Sequence, residues 1–294
     1  MSSWIVFTLF AALMQAVRTA GQKELTSNLS PMSVTLVRYL FGLPFVFIYL
    51  IFLFRESTLD AVLQAVGNHR FLIYALLAGI AQIVATVLLV KVFSFRNFAV
   101  GTSFAKTEAI QTAVFSMVFF AATLSPTGWF AVIVGFVGIV VMSLPKSNAP
   151  WQLSNVLLGT LSGTAFSFTS LWLREASLSL TIDAIQSAAM TLFVMVLIQS
   201  VICLVYSAVR EPGQLQRLPA RLGLASFVGL TSALGSVGWF TAMTLQNPAL
   251  VKSLGQVEFI FTLLITTLFF KEKISGREYL GMAFIVASVI ILLS

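Results

Sequence analysis

Long apolar runs recur from one end of the chain to the other, separated by polar gaps too short to link soluble domains. Crossing about 30 Å of hydrocarbon takes roughly 20 residues of helix, and a window of that length finds ten candidate spans. They lie near 4–21, 32–54, 71–93, 97–120, 127–144, 154–173, 184–208, 222–244, 248–270 and 277–293. An outer-membrane barrel alternates apolar and polar positions over segments of roughly ten residues. These runs are longer and do not alternate, so the pattern predicts an all-α membrane protein. The first run lacks a basic leader and a small-residue cleavage site, and further spans follow it; it is expected to be a helix of the mature protein rather than a signal peptide. Between the second and third runs, Leu59, Val62, Ala65 and Val66 recur at helical spacing. That suits a short helix lying in the membrane interface.

The pattern also repeats. Sliding the chain on itself by 150 residues lays 97–144 on 247–294 without a gap and matches nine positions, among them Asn97/Asn247, Ser103/Ser253, Glu108/Glu258, Thr112/Thr262 and Ser125/Ser275. Apolar composition alone matches several residues, but acidic residues are scarce here, so the paired glutamates carry more weight. The same shift pairs Gly79 with Gly229 and Val87 with Val237, then fades in the first two spans of each half. The halves are expected at 1–147 and 148–294. Five spans per half is an odd number, so the second half must enter the membrane from the opposite side. The expected fold is ten transmembrane helices in two inverted five-helix repeats, an arrangement found in many secondary transporters. Small residues, such as Gly159 and Gly163, Gly128, Gly135 and Gly138, and Gly229, Gly235 and Gly238, mark where helices should touch closely.

Composition turns this from a helix count into a statement about solvent. The 294 residues are 59% hydrophobic and 9% charged, with mean hydropathy +0.99, where a soluble domain carries roughly a quarter charged residues. The formal charge of +7 is scattered through short loops rather than gathered in a run, so no nucleic-acid partner is implied. One set of loops holds Arg18, Lys23, Lys91, Arg96, Lys146, Arg210, Arg217, Arg221, Lys271, Lys273 and Arg277; the other holds Arg55, Arg70 and Arg174. The positive-inside rule places the first set in the cytoplasm and both termini outside it, in the cell's inner membrane. Trp4, Trp129, Trp151 and Trp172 fall near span ends, as an interfacial aromatic belt requires. Cys203 is the single cysteine, which excludes internal disulfides and thiolate metal clusters. No cofactor or metal is expected.

Five ionisable residues fall within the expected spans: Arg38, Lys106, Glu108, Lys252 and Glu258. Each costs about 2.5–3.5 kcal/mol at a helix centre and needs a partner, a watery cavity or a neutralising proton. In span four, Thr102, Ser103 and Lys106 share a face; in span nine, Lys252, Ser253 and Gln256 form the equivalent face, with the lysine one turn earlier. On a continuous helix Glu108 and Glu258 stand about 200° around from those faces, each with a threonine one turn on, Thr112 or Thr262. Two roles are open for the glutamates. They could carry protons or bind a cationic solute, or they could be locked in ion pairs with a lysine or Arg38. Lys106 and Lys252 are expected at the cavity, where either would attract an anionic group. Arg38 and Gln82 are further pathway candidates, with packing or helix-end solvation as the alternative. Gln15 stands behind them, and His69, in the loop before span three, reads as a solvated surface residue.

The C-terminal stretch Phe269-Phe270-Lys271-Glu272-Lys273-Ile274-Ser275, followed by Tyr279-Leu280-Gly281, resembles the end of the repeat in ten-helix EamA-type proteins of the drug/metabolite transporter superfamily. The resemblance spans the whole chain in span count and half-length repeat. Ala122 stands where Glu272 would match, so the first copy of the loop is degenerate. The resemblance implies a substrate cavity between the halves, lined mainly by spans one, three, four, six, eight and nine. It also implies a small-molecule solute, with protons as a candidate coupling ion and export as the expected direction. Small multidrug transporters of the superfamily use a glutamate in their first helix, where this chain offers only Gln15 and Arg18.

The expected function is therefore secondary transport. A membrane enzyme would need convergent nucleophile, acid/base or metal groups, and no HExxH, GxSxG, P-loop or histidine cluster is present. A receptor-like protein would bind a ligand without flux, and only a transport assay separates it from a carrier.

Overall fold

Caps and prolines set several helix starts. Ser30 accepts from the Ser33 amide with Pro31 in the first turn, Asp183 accepts from Ile185, Asn247 accepts from Ala249 ahead of Pro248, and Ser275 and Glu278 form a capping box. Each satisfies amides that a helix start leaves unpaired. The computed structural model describes residues 2–93, 104–143, 153–270 and 275–294. Thr102, Ser103, Arg96, Lys146, Trp151, Lys271, Lys273 and the expected boundary at 147/148 lie outside them.

Helices occupy the expected spans over these residues. Span one is Ser3–Leu25; span two is Pro31–Leu40 with Leu43–Phe54; span three is His69–Phe93. The described part of span four ends in Glu108–Phe120, and span five is Pro126–Ser143. In the second half, span six is Leu153–Leu178, seven Ala184–Arg210, eight Leu222–Leu245, nine Pro248–Gly255 with Glu258–Phe270, and ten Gly276–Leu293. Eight described segments are long and apolar enough to cross a membrane, and Glu108–Phe120 and Pro126–Met142 are shorter apolar helices. Outward positions such as Phe52, Phe130 and Ile290 are exposed, as lipid contact requires. The interfacial helix is Thr58–Gly67; Leu59, Leu63 and Val66 are exposed along it while Ala65 is buried, an apolar face suited to the headgroup boundary.

Three spans are interrupted where the sequence reads as continuous. In span two the helix loosens at Phe41 and Gly42. Pro44 there has no N–H to give the Leu40 carbonyl. Spans four and nine tighten at 106–107 and 256–257. Thr107 N bonds to Phe104 O at 3.1 Å, Gln256 N to Ser253 O at 3.2 Å and Val257 N to Leu254 O at 3.2 Å. These i→i+3 bonds mark a turn of 3₁₀ geometry, which inside a helix often marks a hinge. Both glutamates open the helical segment that follows, where the helix dipole favours negative charge.

The two halves interlock span by span. One packs on eight, three on six, two on seven, four on nine and five on ten. Under the 150-residue shift, the pairs one–eight and six–three exchange while the other pairings map onto themselves. That is the contact pattern of two repeats related by a two-fold axis. It reaches single residues: Ser288 Oγ donates to the Ala131 carbonyl at 2.7 Å. Their shifted counterparts, Gly138 and Gly281, meet so closely that a Cβ on Gly138 would lie 2.8 Å from the Gly281 carbonyl.

The matched glycines Gly79 and Gly229 take equivalent places, Gly79 against Gln199 of span seven and Gly229 against Phe41 of span two. Their tolerances differ. A Cβ at Gly229 would stand 2.5 Å from the Phe41 carbonyl oxygen and carbon, whereas at Gly79 the nearest atom is Gln199 Cγ at 3.7 Å. Gly229→Ala is therefore expected to lower thermal stability by about 1–3 kcal/mol, the usual cost of overpacking, and Gly79→Ala to leave it nearly unaltered. Melting of the two purified variants in detergent checks this; equal losses would contradict the packing assigned to them.

Candidate functional site

The tightened turns of spans four and nine face each other across the interface of the halves and bring four charges together. Lys106 Nζ donates to Glu258 Oε2 at 2.5 Å. Lys252 Nζ is ion-paired with Glu108 Oε1, off the hydrogen-bond direction. Each lysine thus holds the glutamate of the opposite half. The two lysines are not repeat partners, since the shift places Gln256 opposite Lys106 and Thr102 opposite Lys252. Lys252 sits in the last turn of its helical segment, where the dipole favours a cation.

The neutral side chains complete a ring around these pairs. Gln15 Nε2 donates to Glu258 Oε2 at 2.5 Å, and Trp239 Nε1 donates to Gln15 Oε1 at 2.9 Å. Lys252 Nζ lies 4.8 Å from the Trp239 ring centroid, a cation–π contact that is strengthened by desolvation. All of these groups, with Gln256, line one cavity between the halves. In this conformation it has room for a water molecule and not for a metabolite. A solute would fit only after the ion pairs separate. The charges therefore pair with one another and also line the cavity; the ion-pair partners of the glutamates are the lysines and not Arg38 among the described residues.

Close approach makes the arrangement possible. Gly163 of span six packs on the span-four turn, where a Cβ would come 2.8 Å from the Ala105 carbonyl and 3.2 Å from Glu108 N. Ser167, one turn on, donates to the Glu108 carbonyl at 3.1 Å. Gln256 reaches toward span five, where a Cβ on Gly135 would collide with its Oε1 at 2.1 Å. Its amide atoms are buried and without hydrogen-bond partners among the described residues.

The other residues singled out in the sequence lie elsewhere. Thr112 and Thr262 are outside the cavity lining and donate to the backbone carbonyls of Glu108 and Glu258 at 2.7 and 2.9 Å. Their spacing reflects local back-bonding. Arg38 and Gln82 belong to a separate buried cluster between spans two, three and seven. There Arg38 Nη1 donates to Thr86 Oγ1 at 2.8 Å and Gln199 Nε2 to Gln82 Oε1 at 2.7 Å. Neither lines the cavity. Arg18, counted among the loop charges, is buried inside span one, because that helix continues past 21 to Leu25.

Gln15, Trp239 and Gly163 are the site-forming residues that the sequence reading set aside. Two signals could have found the first pair. Gln15 falls on one helical face with Arg18 and Gln22, and Trp239 is a tryptophan inside a span rather than at its end.

Comparison with known proteins agrees with this architecture. A solved crystal structure titled only "Crystal structure of protein" resembles 99% of this chain and 96% of its own, with a TM-score of 0.76 at 14% identity, which shows a shared fold. A search of the curated proteins returns no match. The family model of the EamA-like transporter family matches residues 2–144 and again 153–294, once for each half. The chain is a multi-pass membrane protein and belongs to the EamA-like transporter family.

Proposed function

We propose that the chain is a secondary transporter that moves a small metabolite by alternating access, with the crossed pairs Lys106–Glu258 and Lys252–Glu108 as its central site. The observation that carries this reading is that each lysine holds the other half's glutamate beside a cavity too small for a solute. Such a site is filled by its own ion pairs and waits for a competitor. An anionic group on the solute competes with the glutamates for the lysines. A proton on either glutamate releases its lysine and makes that competition easier, so proton and solute binding become coupled. Halves 1–147 and 148–294 rock against each other at the turns in spans four and nine. The basic loops lie in the cytoplasm of the inner membrane, the termini outside, and the direction is export.

The test is counterflow into proteoliposomes preloaded with inorganic phosphate, succinate, glutamate or choline, with and without a pH gradient. Saturable exchange of at least one solute that accelerates with the gradient is expected. Binding of a solute without flux would make the protein receptor-like and overturn the reading. Gradient-independent exchange would remove proton coupling alone.

A further inference from the structure

Span one carries Gln15, Arg18 and Gln22 along one helical face. Gln15 lines the ion-paired cavity, and Gln22 lies about 10 Å further along the helix axis, toward the end that bears Lys23. Arg18 and Gln22 are buried, and Arg18 Nε and Nη1 and Gln22 Nε2 have no hydrogen-bond partner among the described residues. Arg38 approaches from span two, within electrostatic reach of Arg18. Its guanidinium lies 5.2 Å from the Tyr39 ring centroid and bonds to Thr86. One helical turn nearer the basic face, Leu25, Val34, Val37, Val90 and Val228 pack into an apolar cluster that closes this layer from outside.

Arg18 and Gln22 are donors with unmet demand among the described residues. Among the described residues neither arginine has a carboxylate in an ion pair, and Glu258, which Arg18 feels electrostatically, is held by Lys106 and Gln15. A buried arginine with a structural task looks different. Arg174 uses Nη1 on the carbonyls of Met243 and Gln246, capping the end of span eight. Two buried guanidinium groups without carboxylate partners are costly inside membrane spans, and the planar fork of one is matched to a carboxylate or phosphate.

We infer that Arg18 and Arg38, with Gln22 and Thr86, form an oxyanion-binding step between the central cavity and the basic face of the membrane. It takes a carboxylate or phosphate group. That this group belongs to a transported solute rests on the transport reading. Arg18 Nε and Nη1 grip the oxyanion, Arg38 adds the second charge, and the solute then passes along the Gln15 face to Lys106 and Lys252.

The test is thermal melting of the full chain in phosphatidylcholine nanodiscs, titrated with inorganic phosphate or succinate at constant ionic strength, with choline chloride as control. Saturable stabilisation by phosphate, succinate or both is expected, and which one responds identifies the group. Arg18→Gln and Arg38→Gln each weaken the apparent affinity about ten- to a hundredfold, the loss of one charge-assisted contact. Without ligand, Arg18→Gln melts at or above wild type, because it removes an uncompensated buried charge. No response of the wild type to either anion overturns the inference, as does a wild-type response in both variants. A lower unliganded midpoint for Arg18→Gln with unaltered anion affinity assigns a structural role and overturns it too. If Arg38→Gln does not fold, Arg38→Lys, which keeps the charge and loses the fork, is expected to weaken binding and carries the test. Anion binding without counterflow removes the transport reading and leaves this step standing, whereas counterflow of choline without anion binding removes only this step.

Discussion

Replacing Glu258 by glutamine is expected to lower counterflow in proteoliposomes by about 10²- to 10³-fold, the largest single effect on activity. Glu258 is the acceptor for both Lys106 Nζ and Gln15 Nε2. Removing one partner of a buried pair strands the other charge at about 3–5 kcal/mol, and each 1.4 kcal/mol shifts a population about tenfold. The variant should therefore leave this ion-paired conformation rarely populated, so the cycle stalls. The thermal midpoint falls as well. The double variant Lys106→Met/Glu258→Gln removes both charges and should recover most of the stability while flux stays low. If it recovers flux too, the pair is a structural brace and not part of the transport site. Glu108→Gln is expected to act in the same direction, since it strands Lys252 in turn.

The second large effect is steric and touches no charge. Gly163→Val places a branched side chain against the Ala105 carbonyl, Thr107 Oγ1 and the Glu108 amide. Span six must move away from the turn of span four, which displaces Lys106 and Glu108 from their partners. Overpacking of this kind costs about 1–3 kcal/mol, so the protein still inserts and folds. Its counterflow is expected to fall at least about tenfold. Gly128→Val, in span five, is the control: a Cβ there meets only Leu124, Ser125 and Leu250 side chains at 3.3–3.5 Å. Equal flux in both variants would show that the turn is not coupled to transport.

Lipid makes part of this protein legible from its sequence. Because a spanning segment must be apolar over a fixed length, the spans stand out, and because charge is expensive there, Glu108 and Glu258 identify the register of the repeat. Gly79 and Gly229, matched by the same shift, take equivalent contacts against spans seven and two. The breaks in spans four and nine were not legible. A 3₁₀ turn needs no proline, and although Gly255 precedes one turn, Ala105 precedes the other. The crossed pairs were hidden for a related reason. Helical spacing sets each lysine and glutamate on different faces of its own span, and the pairing runs between halves whose lysines occupy unmatched positions. Arg18 was assigned to a loop because Gln22, Lys23 and Glu24 end the apolar run. The helix nevertheless continues to Leu25, which is buried with Leu29 against Val34 and Val228.

The sharpest test of the central claim is a charge exchange across the halves. Counterflow is measured for wild type, Lys106→Glu, Glu258→Lys and the double exchange Lys106→Glu/Glu258→Lys, all in the same proteoliposomes and over the same panel of anionic and cationic solutes. If these two residues form one pair at the transport site, each single variant places like charges together and loses flux, and the double exchange recovers a substantial part of it. If the double exchange is no better than the worse single variant, or if the single variants transport as wild type does, the crossed pairs are not the site.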